Sequence, residues 1–388
     1  MAQGGAARAA GDPRRKEPAA WSDVAGVVAS CARTGGLDGL NVAVVGATGN
    51  FGTSVVDALA GDDRIGRVIG LARRVPSWQP PKTTWVSADI VTEARLAELF
   101  RAMDVVVHLA WLFQPTHRPV LTWRTNVLGS VRVYEAAADA AVPALIHASS
   151  VGAYSPGPKD RKVDESWPTH GWPDAAYCRE KAYLERYLDG FERRYPWIRV
   201  VRMRPGFLFK REAAAEQRRL FAGPLLPQWL ARPELLPVVP DVPGLRFQTM
   251  HTDDAADAVR EAATSTVHGA FNLAAEPVVD ATELGRMFDA RPVRVPAAAV
   301  RAALRAGWRT RMVPASPHLF DAVLRLPLMD TSRAREELHW YPRHSSTDAL
   351  REFVRGLREH AGMATPPLRT RLPGGRLEET AKRVRAAP

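Results

Sequence analysis

Cysteine is scarce in this sequence: the 388 residues contain two, Cys31 and Cys178. Two cysteines cannot build a disulfide framework, and such low usage favours a reduced, cytoplasmic protein. Uninterrupted apolar runs are also short, and none approaches the roughly 20 residues that a membrane-spanning helix needs. The ten histidines are scattered, with no C-x-x-C or H-x-x-x-H spacing of metal ligands. The sequence therefore predicts neither a disulfide-stapled secreted domain, nor a membrane span, nor a metal site.

Acidic residues are outnumbered, 42 Asp and Glu against 53 Lys and Arg, which leaves a formal net charge of +11. Part of the excess lies in the two ends of the chain, residues 1–20 and 363–388, and the rest is spread over a long core. Such a diluted charge is typical of a solvated surface and does not predict a nucleic-acid partner. The Arg14-Arg15 pair is followed by charged residues and a proline where an export signal needs an apolar segment, so we do not expect export.

The texture of the sequence changes along the chain and predicts four parts. Residues 1–38 are rich in Ala, Gly and Arg with little periodicity, which predicts a mobile N-terminal extension. Short apolar runs alternate with helical patterns over 39–204, which predicts a parallel sheet with helices on both faces. Six prolines crowd residues 223–244, so 205–360 is predicted as a smaller, irregular substrate-binding region that partly returns to the core. Residues 361–388 are predicted as a loose tail.

The predicted elements follow from the period of the apolar residues, which is short and continuous for buried strands and close to 3.6 for helices. Strands are predicted at 41–45, 67–72, 85–88, 105–109, 144–148 and 199–203, and helices at 51–60, 95–100, 126–141, 177–195, 253–263, 281–288, 296–307, 331–338 and 347–359.

A glycine-rich turn directly follows the first predicted strand and opens the first helix. Gly46 permits the tight turn, Gly49 lets the backbone approach a pyrophosphate, and Gly52 admits close helix–strand packing. Although such a spacing also occurs in ordinary turns, its position at this strand–helix junction favours a dinucleotide site. The residues predicted to bind the cofactor in this turn are Gly46, Thr48, Gly49, Asn50, Phe51 and Gly52.

The end of the second predicted strand indicates which dinucleotide is bound. An acidic residue commonly holds the ribose 2′-hydroxyl of NAD at this place, but here Ala72 is followed by Arg73 and Arg74. Two guanidinium groups suit a 2′-phosphate, because arginine offers planar, bidentate donors. The sequence therefore favours NADP over NAD, the alternative being two solvent-facing arginines on a loop.

A tyrosine, a lysine and one of two adjacent serines form a candidate catalytic set. Tyr177 and Lys181 lie at i and i+4, on one face of a predicted helix. Hydride transfer to a carbonyl creates an alkoxide that needs a proton, and a neighbouring cation lowers the pKa of a tyrosine that supplies it. Ser149 and Ser150 end the strand at 144–148, where a serine hydroxyl orients a substrate oxygen beside the phenol.

Together these motifs resemble the extended short-chain dehydrogenase/reductase family, in its NAD(P)-dependent epimerase/dehydratase branch. The resemblance runs from about residue 41 to about residue 358 and implies a Rossmann-type doubly wound α/β fold. Tyr177 and Lys181 match the family's catalytic pair, with Lys181 also binding the nicotinamide ribose. Ser150 matches the catalytic serine, with Ser149 as the alternative, and Asn126 matches the asparagine of the helix after the fourth strand.

The resemblance also implies cofactor contacts outside the glycine turn. They are Asp89 and Ile90 beside the adenine, Leu109 and Ala110 along the wall at the end of the fourth strand, and Pro205 near the nicotinamide, in addition to Tyr177 and Lys181. The implied function is that of an NAD(P)-dependent oxidoreductase or epimerase. It would act on a carbinol or carbonyl carbon of a small molecule by hydride transfer with tyrosine acid/base catalysis. The alternative is a catalytically silent dinucleotide-binding scaffold or redox sensor of the same fold. Family members are often dimers, so a homodimer is a further expectation.

The sequence departs from the family's nucleotide-sugar epimerases in two places. Phe247 stands where those enzymes carry an arginine for the diphosphate, and the loop at 111–113 is apolar and aromatic. Both departures leave room for a hydrophobic alcohol, ketone or steroid-like substrate, although an aromatic cluster is commonly core packing. We interpret His251 as structural and Asp253 as the N-cap of the helix that follows.

Overall fold

The computed structural model describes residues 39–114, 116–223 and 237–370. The predicted N-terminal extension lies outside these residues, as do most of the predicted tail and part of the proline-rich segment. No helix within the described ranges is both long and apolar enough to cross a lipid bilayer.

Strands and helices alternate from the first described residues onward. The strands are β1 (Leu40–Val45), β2 (Ile65–Ala72), β3 (Thr83–Ser87), β4 (Val105–His108), β5 (Ala144–Ala148), β6 (Lys162–Val163), β7 (Arg199–Pro205), β8 (Phe207–Phe209), β9 (Val238–Asp241), β10 (Thr249–His251), β11 (Gly269–Leu273), β12 (Arg291–Arg294) and β13 (Leu328–Met329). The α-helices are α1 (Asn50–Ala60), α2 (Leu96–Phe100), α3 (Pro119–Trp123), α4 (Gly129–Asp139), α5 (Ala176–Arg194), α6 (Ala214–Gln217), α7 (Thr252–Thr264), α8 (Ala281–Phe288), α9 (Ala297–Arg309), α10 (Pro317–Val323), α11 (Ser332–Glu337) and α12 (Ser346–Glu359).

Seven of the strands form one sheet in the order β11-β7-β5-β4-β1-β2-β3, and every neighbouring pair is parallel. Val42 and Val44 of the central strand β1 belong to the core on one face, whereas Ala43 and Val45 belong to the core on the other. The predicted doubly wound α/β sheet is therefore confirmed. The strand order reverses between β1 and β4, and ligands bind at such a crevice outside the carboxyl ends of the strands.

The region after β7 returns to the sheet through a strand that the sequence does not predict. β11 pairs with β7, and its apolar pattern is interrupted by Asn272, which is fully buried. The amide of Asn272 accepts a hydrogen bond from the Tyr154 hydroxyl and donates one to the carbonyl of Asp330. Three short parallel pairs, β8 with β10, β9 with β12 and β6 with β13, make up the smaller sheets beside the main one.

The prediction of a loose tail from residue 361 is wrong for residues 361–370. Thr365 and Leu368 are fully buried. Arg219 donates hydrogen bonds to the carbonyl oxygens of Pro367 at 2.5 Å and Arg369 at 2.9 Å. A guanidinium from a distant part of the chain thus satisfies the backbone of this segment, and no local pattern in the sequence shows such a partner.

Candidate functional site

The glycine-rich turn connects β1 to α1 at the centre of the sheet edge. Gly46 has a φ of +89°, and a Cβ atom there would lie 2.6 Å from the backbone nitrogen of Ala110. A Cβ atom on Gly52 would overlap the carbonyl oxygen of Gly46. At Gly49 the nearest atom would be 3.8 Å away. Packing therefore requires the first and third glycines, whereas the second leaves the mouth of the turn open.

The amino end of α1 fits an anionic group. Its N-cap, Gly49, has no side chain to bond the first N–H groups, and no acidic residue lies in the first turn. A carboxyl group from elsewhere, that of Glu216 of α6, lies near this end, because the backbone N–H of Asn50 acts to lower its pKa. The N–H groups of the first turn, which no side chain caps, are the donors that a dinucleotide pyrophosphate needs. Nothing in the sequence near Glu216 signals this contact.

The predicted adenine and ribose contacts lie along the same edge. The ends of β2 and β3 are adjacent, because the Ala88 N–H donates to the Ala72 carbonyl at 3.1 Å. Arg73 and Arg74 follow β2 and are exposed. Asp89 follows β3 and accepts a hydrogen bond from the Val91 N–H, whereas Ile90 is buried, as is most of Thr48.

The remaining predicted contacts follow β4 and β7 or lie on α1. Leu109 directly follows β4 and donates its N–H to the carbonyl of Val45 on β1. Pro205 is buried at the end of β7, and Phe51 is half-buried on α1.

Tyr177 on the first turn of α5 lies next to Ser150, because a Cβ atom on Gly152 would lie 2.7 Å from Tyr177 Cε1 and 3.4 Å from Ser150 Oγ. The Ser150 hydroxyl acts to lower the pKa of the phenol. Ser150 Oγ also accepts from the Gly152 N–H at 3.0 Å, which fixes the hydroxyl at the start of a short 3₁₀ turn. Ser149 faces away from the phenol and donates to Glu185 at 2.5 Å. The structure therefore brings together Tyr177 and Ser150, the serine that the sequence preferred. The alternative, Ser149, has a different partner.

Lys181 is buried one helical turn after Tyr177. Its Nζ donates to the Ala148 carbonyl at 2.5 Å and lies 3.7 Å from the centre of the Trp111 ring. Burial lowers the pKa of Lys181 to about 7, although the nearby Glu185 and Glu180 carboxylates act to raise it. An ammonium has three donors, so this group keeps N–H donors for further acceptors such as ribose hydroxyls.

The effect that we predicted for Lys181 on the pKa of Tyr177 is wrong. We predicted that the lysine lowers the pKa of Tyr177, but burial raises that pKa above its ordinary value. The group that acts to lower it is the Ser150 hydroxyl, while Lys181 Nζ bonds the Ala148 carbonyl. Without a ligand, the site therefore holds Tyr177 as a neutral phenol, the form that donates a proton.

Asn126 lies in a π-helical turn, Arg124–Leu128, where a helix widens by one residue and often carries a functional side chain. Its Oδ1 accepts from the Leu112 N–H at 2.7 Å, and its Nδ2 donates to the Leu112 carbonyl at 2.9 Å. Nδ2 also donates to Glu180 at 2.7 Å. Asn126 thus holds the loop at 111–113 in place rather than contacting Tyr177 itself.

That loop encloses the Tyr177 ring. The Phe113 ring stacks on it at 5.2 Å, with an angle of 12° between the ring planes, and the Trp111 ring meets it edge-on at 5.5 Å. The sequence left open whether this aromatic loop is core packing or contacts the substrate. The loop lies beside Tyr177, the candidate catalytic tyrosine.

Two buried carboxylates of α5 complete the site, and the sequence analysis missed both. Glu180 accepts from Thr122 Oγ1 at 2.6 Å as well as from Asn126, and burial raises its pKa. Glu185 forms a two-pronged ion pair with Arg204, with both N–O distances at 2.9 Å. The spacing of Glu185, one turn beyond Lys181 on the same helix face, is a signal that could have found it.

The histidine that ends β10 is the N-cap of α7. His251 Nδ1 accepts from the Asp253 N–H at 3.2 Å, so the N-cap is His251 and the assignment to Asp253 is wrong. The Asp253 carboxylate instead accepts a hydrogen bond from Ser54. Among the residues that the structure describes, no cluster of His, Cys, Asp and Glu could hold a metal ion.

The sequence model of the NAD-dependent epimerase/dehydratase family matches residues 42–274. An uncharacterised protein of Mycobacterium tuberculosis is 25% identical over 325 residues, which cover 81% of this chain and 83% of the relative. The L-arabinose 1-dehydrogenase (NAD(P)(+)) of Haloferax volcanii is 34% identical over 109 residues, which cover 28% of this chain and 40% of the relative.

Solved structures share the fold over most of the chain. The UDP-glucose 4-epimerase of Thermotoga maritima, solved with UDP-glucose, has a TM-score of 0.61 and 20% identity, and the match covers 82% of this chain and 99% of that one. The dTDP-glucose 4,6-dehydratase DesIV of Streptomyces venezuelae, solved with NAD, has a TM-score of 0.62 and 18% identity, and the match covers 85% and 100%. At these identities the likeness shows the fold alone.

Proposed function

The chain belongs to the NAD-dependent epimerase/dehydratase family of extended short-chain dehydrogenases/reductases, and on this premise we propose that it transfers hydride at a carbinol or carbonyl carbon of a small molecule. The observation that carries the proposal is the proximity of the Tyr177 ring and the Ser150 hydroxyl, which lie 2.7 Å and 3.4 Å from the position of a Cβ atom on Gly152, one helical turn from the buried Lys181. All three side chains lie at the carboxyl edge of the sheet, the edge on which the glycine turn opens.

Ser150, Tyr177 and Lys181 would each have one role in transferring a proton to the substrate oxygen. A bound nicotinamide dinucleotide supplies or accepts the hydride. Ser150 Oγ would hold the substrate oxygen, and Tyr177 would give its hydroxyl proton to that oxygen as it gains negative charge. Lys181 would bind the sugar next to the nicotinamide and stabilise the tyrosinate that remains. Because burial keeps the phenol protonated, the resting site is prepared for reduction of a carbonyl.

The proposal that NADP is preferred over NAD rests on Arg73 and Arg74. Both are exposed directly after β2, at the place where the 2′-position of the adenosine ribose is bound in this fold. The family is NAD-dependent and solved neighbours contain NAD, so the two arginines carry the finer preference. We also propose a cytoplasmic location, on the basis of the low cysteine usage and the unpaired, buried Cys178.

The decisive experiment is Tyr177→Phe. We expect turnover of the nicotinamide, followed by its near-ultraviolet absorbance, to fall by about 10²–10⁴-fold, while dinucleotide affinity, followed by fluorescence titration, stays the same. Tyr183→Phe is the matched control, because Tyr183 lies on the same helix and is exposed. A wild-type protein that binds the dinucleotide but turns over none of a panel of aldehydes, ketones and alcohols would instead be the silent scaffold. Full activity in Tyr177→Phe would refute the acid/base assignment.

A further inference from the structure

A cavity of about 160 Å³ lies beside Tyr177, between the loop at 111–113, the start of α5 and the helices α9 and α10. Its wall is largely apolar and aromatic. The side chains that matter here are Leu112, Phe113, Tyr177, Phe221, Trp308 and Leu319. Tyr177, the candidate acid, is one of the lining residues, so a group bound in this cavity lies against the Tyr177 side chain.

The walls of the cavity are fixed by contacts that do not depend on a ligand. Asn126 bonds both backbone groups of Leu112, as described above. Phe221 meets Phe113 edge-on at 5.6 Å. Trp308 donates its indole N–H to Thr116 Oγ1 at 2.9 Å. The cavity is therefore pre-formed, which reduces the ordering cost of binding.

The volume and the lining limit what fits. An apolar cavity of about 150 Å³ takes a ligand of the size of benzene. The cavity beside Tyr177 consequently has room for a single aromatic ring or a branched aliphatic group of similar size, and is too small for a nucleotide sugar. Phe247, which stands where a diphosphate-binding arginine was expected, packs edge-on against Phe207 at 5.4 Å and offers no charge.

Polar side chains also line the cavity, and two of them, Glu180 and His318, bear on what a ligand can bond; the others are Gln114, Thr116, Thr122, Asp174, Arg179 and Ser316. The Glu180 carboxylate lines the cavity and already accepts hydrogen bonds from Thr122 and Asn126. His318 also lines it, and the Nδ1 atom of that ring is buried without a hydrogen-bond partner among the described residues. An unpaired buried nitrogen is costly, and a ligand hydroxyl would relieve that cost.

We propose that this cavity is the substrate's side-chain subsite and that it takes one aromatic ring, or a branched aliphatic group of that size, with a hydroxyl that bonds His318. The proposal rests on the proposed function in one respect: the bound group belongs to a molecule whose carbinol or carbonyl carbon lies at Tyr177. It makes the substrate class a small aryl or alkyl alcohol or ketone instead of a nucleotide sugar.

Direct binding tests the subsite without any turnover. Benzyl alcohol, toluene and UDP-glucose are titrated into the full-length protein by isothermal calorimetry, with the dinucleotide present. We expect benzyl alcohol and toluene to bind in the millimolar range and UDP-glucose not to compete. Ala315→Leu, which places a larger side chain in the cavity wall, should weaken both aromatic probes by about tenfold or more. Ala299→Leu on the exposed side of α9 is the control.

A second variant separates the polar part of the proposal from the apolar part. His318→Leu should weaken benzyl alcohol by about threefold to tenfold and leave toluene unchanged. Equal binding of the probes to wild type and Ala315→Leu, with both proteins folded by circular dichroism, would overturn the subsite. That result is distinct from a failure of the proposed function, which would show as full turnover in Tyr177→Phe.

Discussion

Glu216 is the residue whose ionisation acts most directly on the cofactor site. It lies against the Asn50 N–H at the amino end of α1, and burial raises its pKa to about 7, although Arg219 and Lys210 act to lower it. Below that pH the carboxyl is neutral, and above it the negative charge repels the phosphates of a dinucleotide. We therefore expect the dinucleotide Kd to increase by about tenfold between about pH 6 and about pH 8, measured by fluorescence titration.

Two variants check the role of Glu216. Glu216→Gln should bind the dinucleotide with a nearly constant Kd over this range, because its amide carries no charge. Glu212→Gln changes a half-exposed carboxylate on the same segment that pairs with Arg211, and it should keep the wild-type profile. Identical pH profiles for wild type and Glu216→Gln would show that the carboxylate does not compete with the phosphates.

Glu185 joins α5 to β7 through two buried arginines, Arg202 and Arg204. The guanidinium groups of Arg204 and Arg202 hold its pKa at about 2, below the 4.5 of an unperturbed glutamate, against the opposing effect of burial. Its contribution to folding is therefore present above pH 4.5 and is lost as the pH falls towards 2. Glu185→Gln leaves two buried arginines without their shared partner, and we expect it to lower the free energy of unfolding by about 3–5 kcal/mol at neutral pH.

Urea denaturation at neutral pH measures the Glu185→Gln effect. Glu192 also pairs with Arg202, but its side chain is 37% exposed. Glu192→Gln should therefore lower the free energy of unfolding by no more than about 1 kcal/mol. The loss in Glu185→Gln should also shrink as the pH is lowered towards 2, because the wild-type carboxylate becomes protonated there. A pH-independent loss would mean that the packing of the side chain, not its charge, is what matters.

At the scale of elements, the π-helical turn at Arg124–Leu128 connects the helix layer to the loop at 111–113. Asn126→Ala removes two hydrogen bonds to Leu112 and one to Glu180. We expect it to lower the free energy of unfolding by about 2–4 kcal/mol and to raise KM more than it lowers kcat, because the loop at 111–113 loses its support. Thr122→Val removes one bond to Glu180 and leaves the loop held, so it should cost about 1 kcal/mol and raise KM less than Asn126→Ala does. Similar KM values in both variants would contradict the role given to Asn126.

The strands that the sequence predicted well are those whose residues form an uninterrupted apolar run. The strands β1 and β5 are short, buried, apolar runs, and the predicted bounds lie within a residue of those observed. β11 escaped because Asn272 interrupts its apolar pattern, and the partners of that amide lie 58 or more residues away. The helix predicted at 126–141 is in fact a π-helical turn followed by α4, since periodicity does not distinguish a widened turn from a regular one.

The same reasoning applies to the candidate site. Tyr177, Lys181 and Ser150 follow from spacing within one helix and from the position of a strand end, so their proximity was predictable. The contact between Glu216 and Asn50 joins segments far apart in the chain and has no local signal. The raised pKa of Tyr177 was also unpredictable, because it depends on burial by Trp111 and Phe113 more than on the neighbouring cation.

At the scale of the whole molecule, three exposed apolar side chains lie on α5 and on the two helical segments that pack beside it. Val120 on α3 is 82% exposed, Leu128 in the π-helical turn is 51% exposed and Tyr183 on α5 is 44% exposed. Tyr183 also contacts the Trp123 ring at 4.9 Å, which joins these elements into one surface. Contiguous apolar surface of this kind marks an interaction site. We propose that a second copy of the chain covers it, as the expected homodimer requires.

Light scattering coupled to size-exclusion chromatography measures the assembly. We expect a dimer for the wild type and a monomer for Leu128→Asp, because an isologous interface presents each substitution twice, on both sides of the two-fold axis. Val293→Asp changes an equally exposed valine on β12, away from this surface, and should remain dimeric. α5 also carries Tyr177 and Lys181, so the dimer would hold this helix from its outer side. The monomeric variant should unfold at a lower temperature than the wild type, and its unfolding temperature should not depend on protein concentration. A wild-type monomer at all concentrations would leave the apolar surface to a different partner.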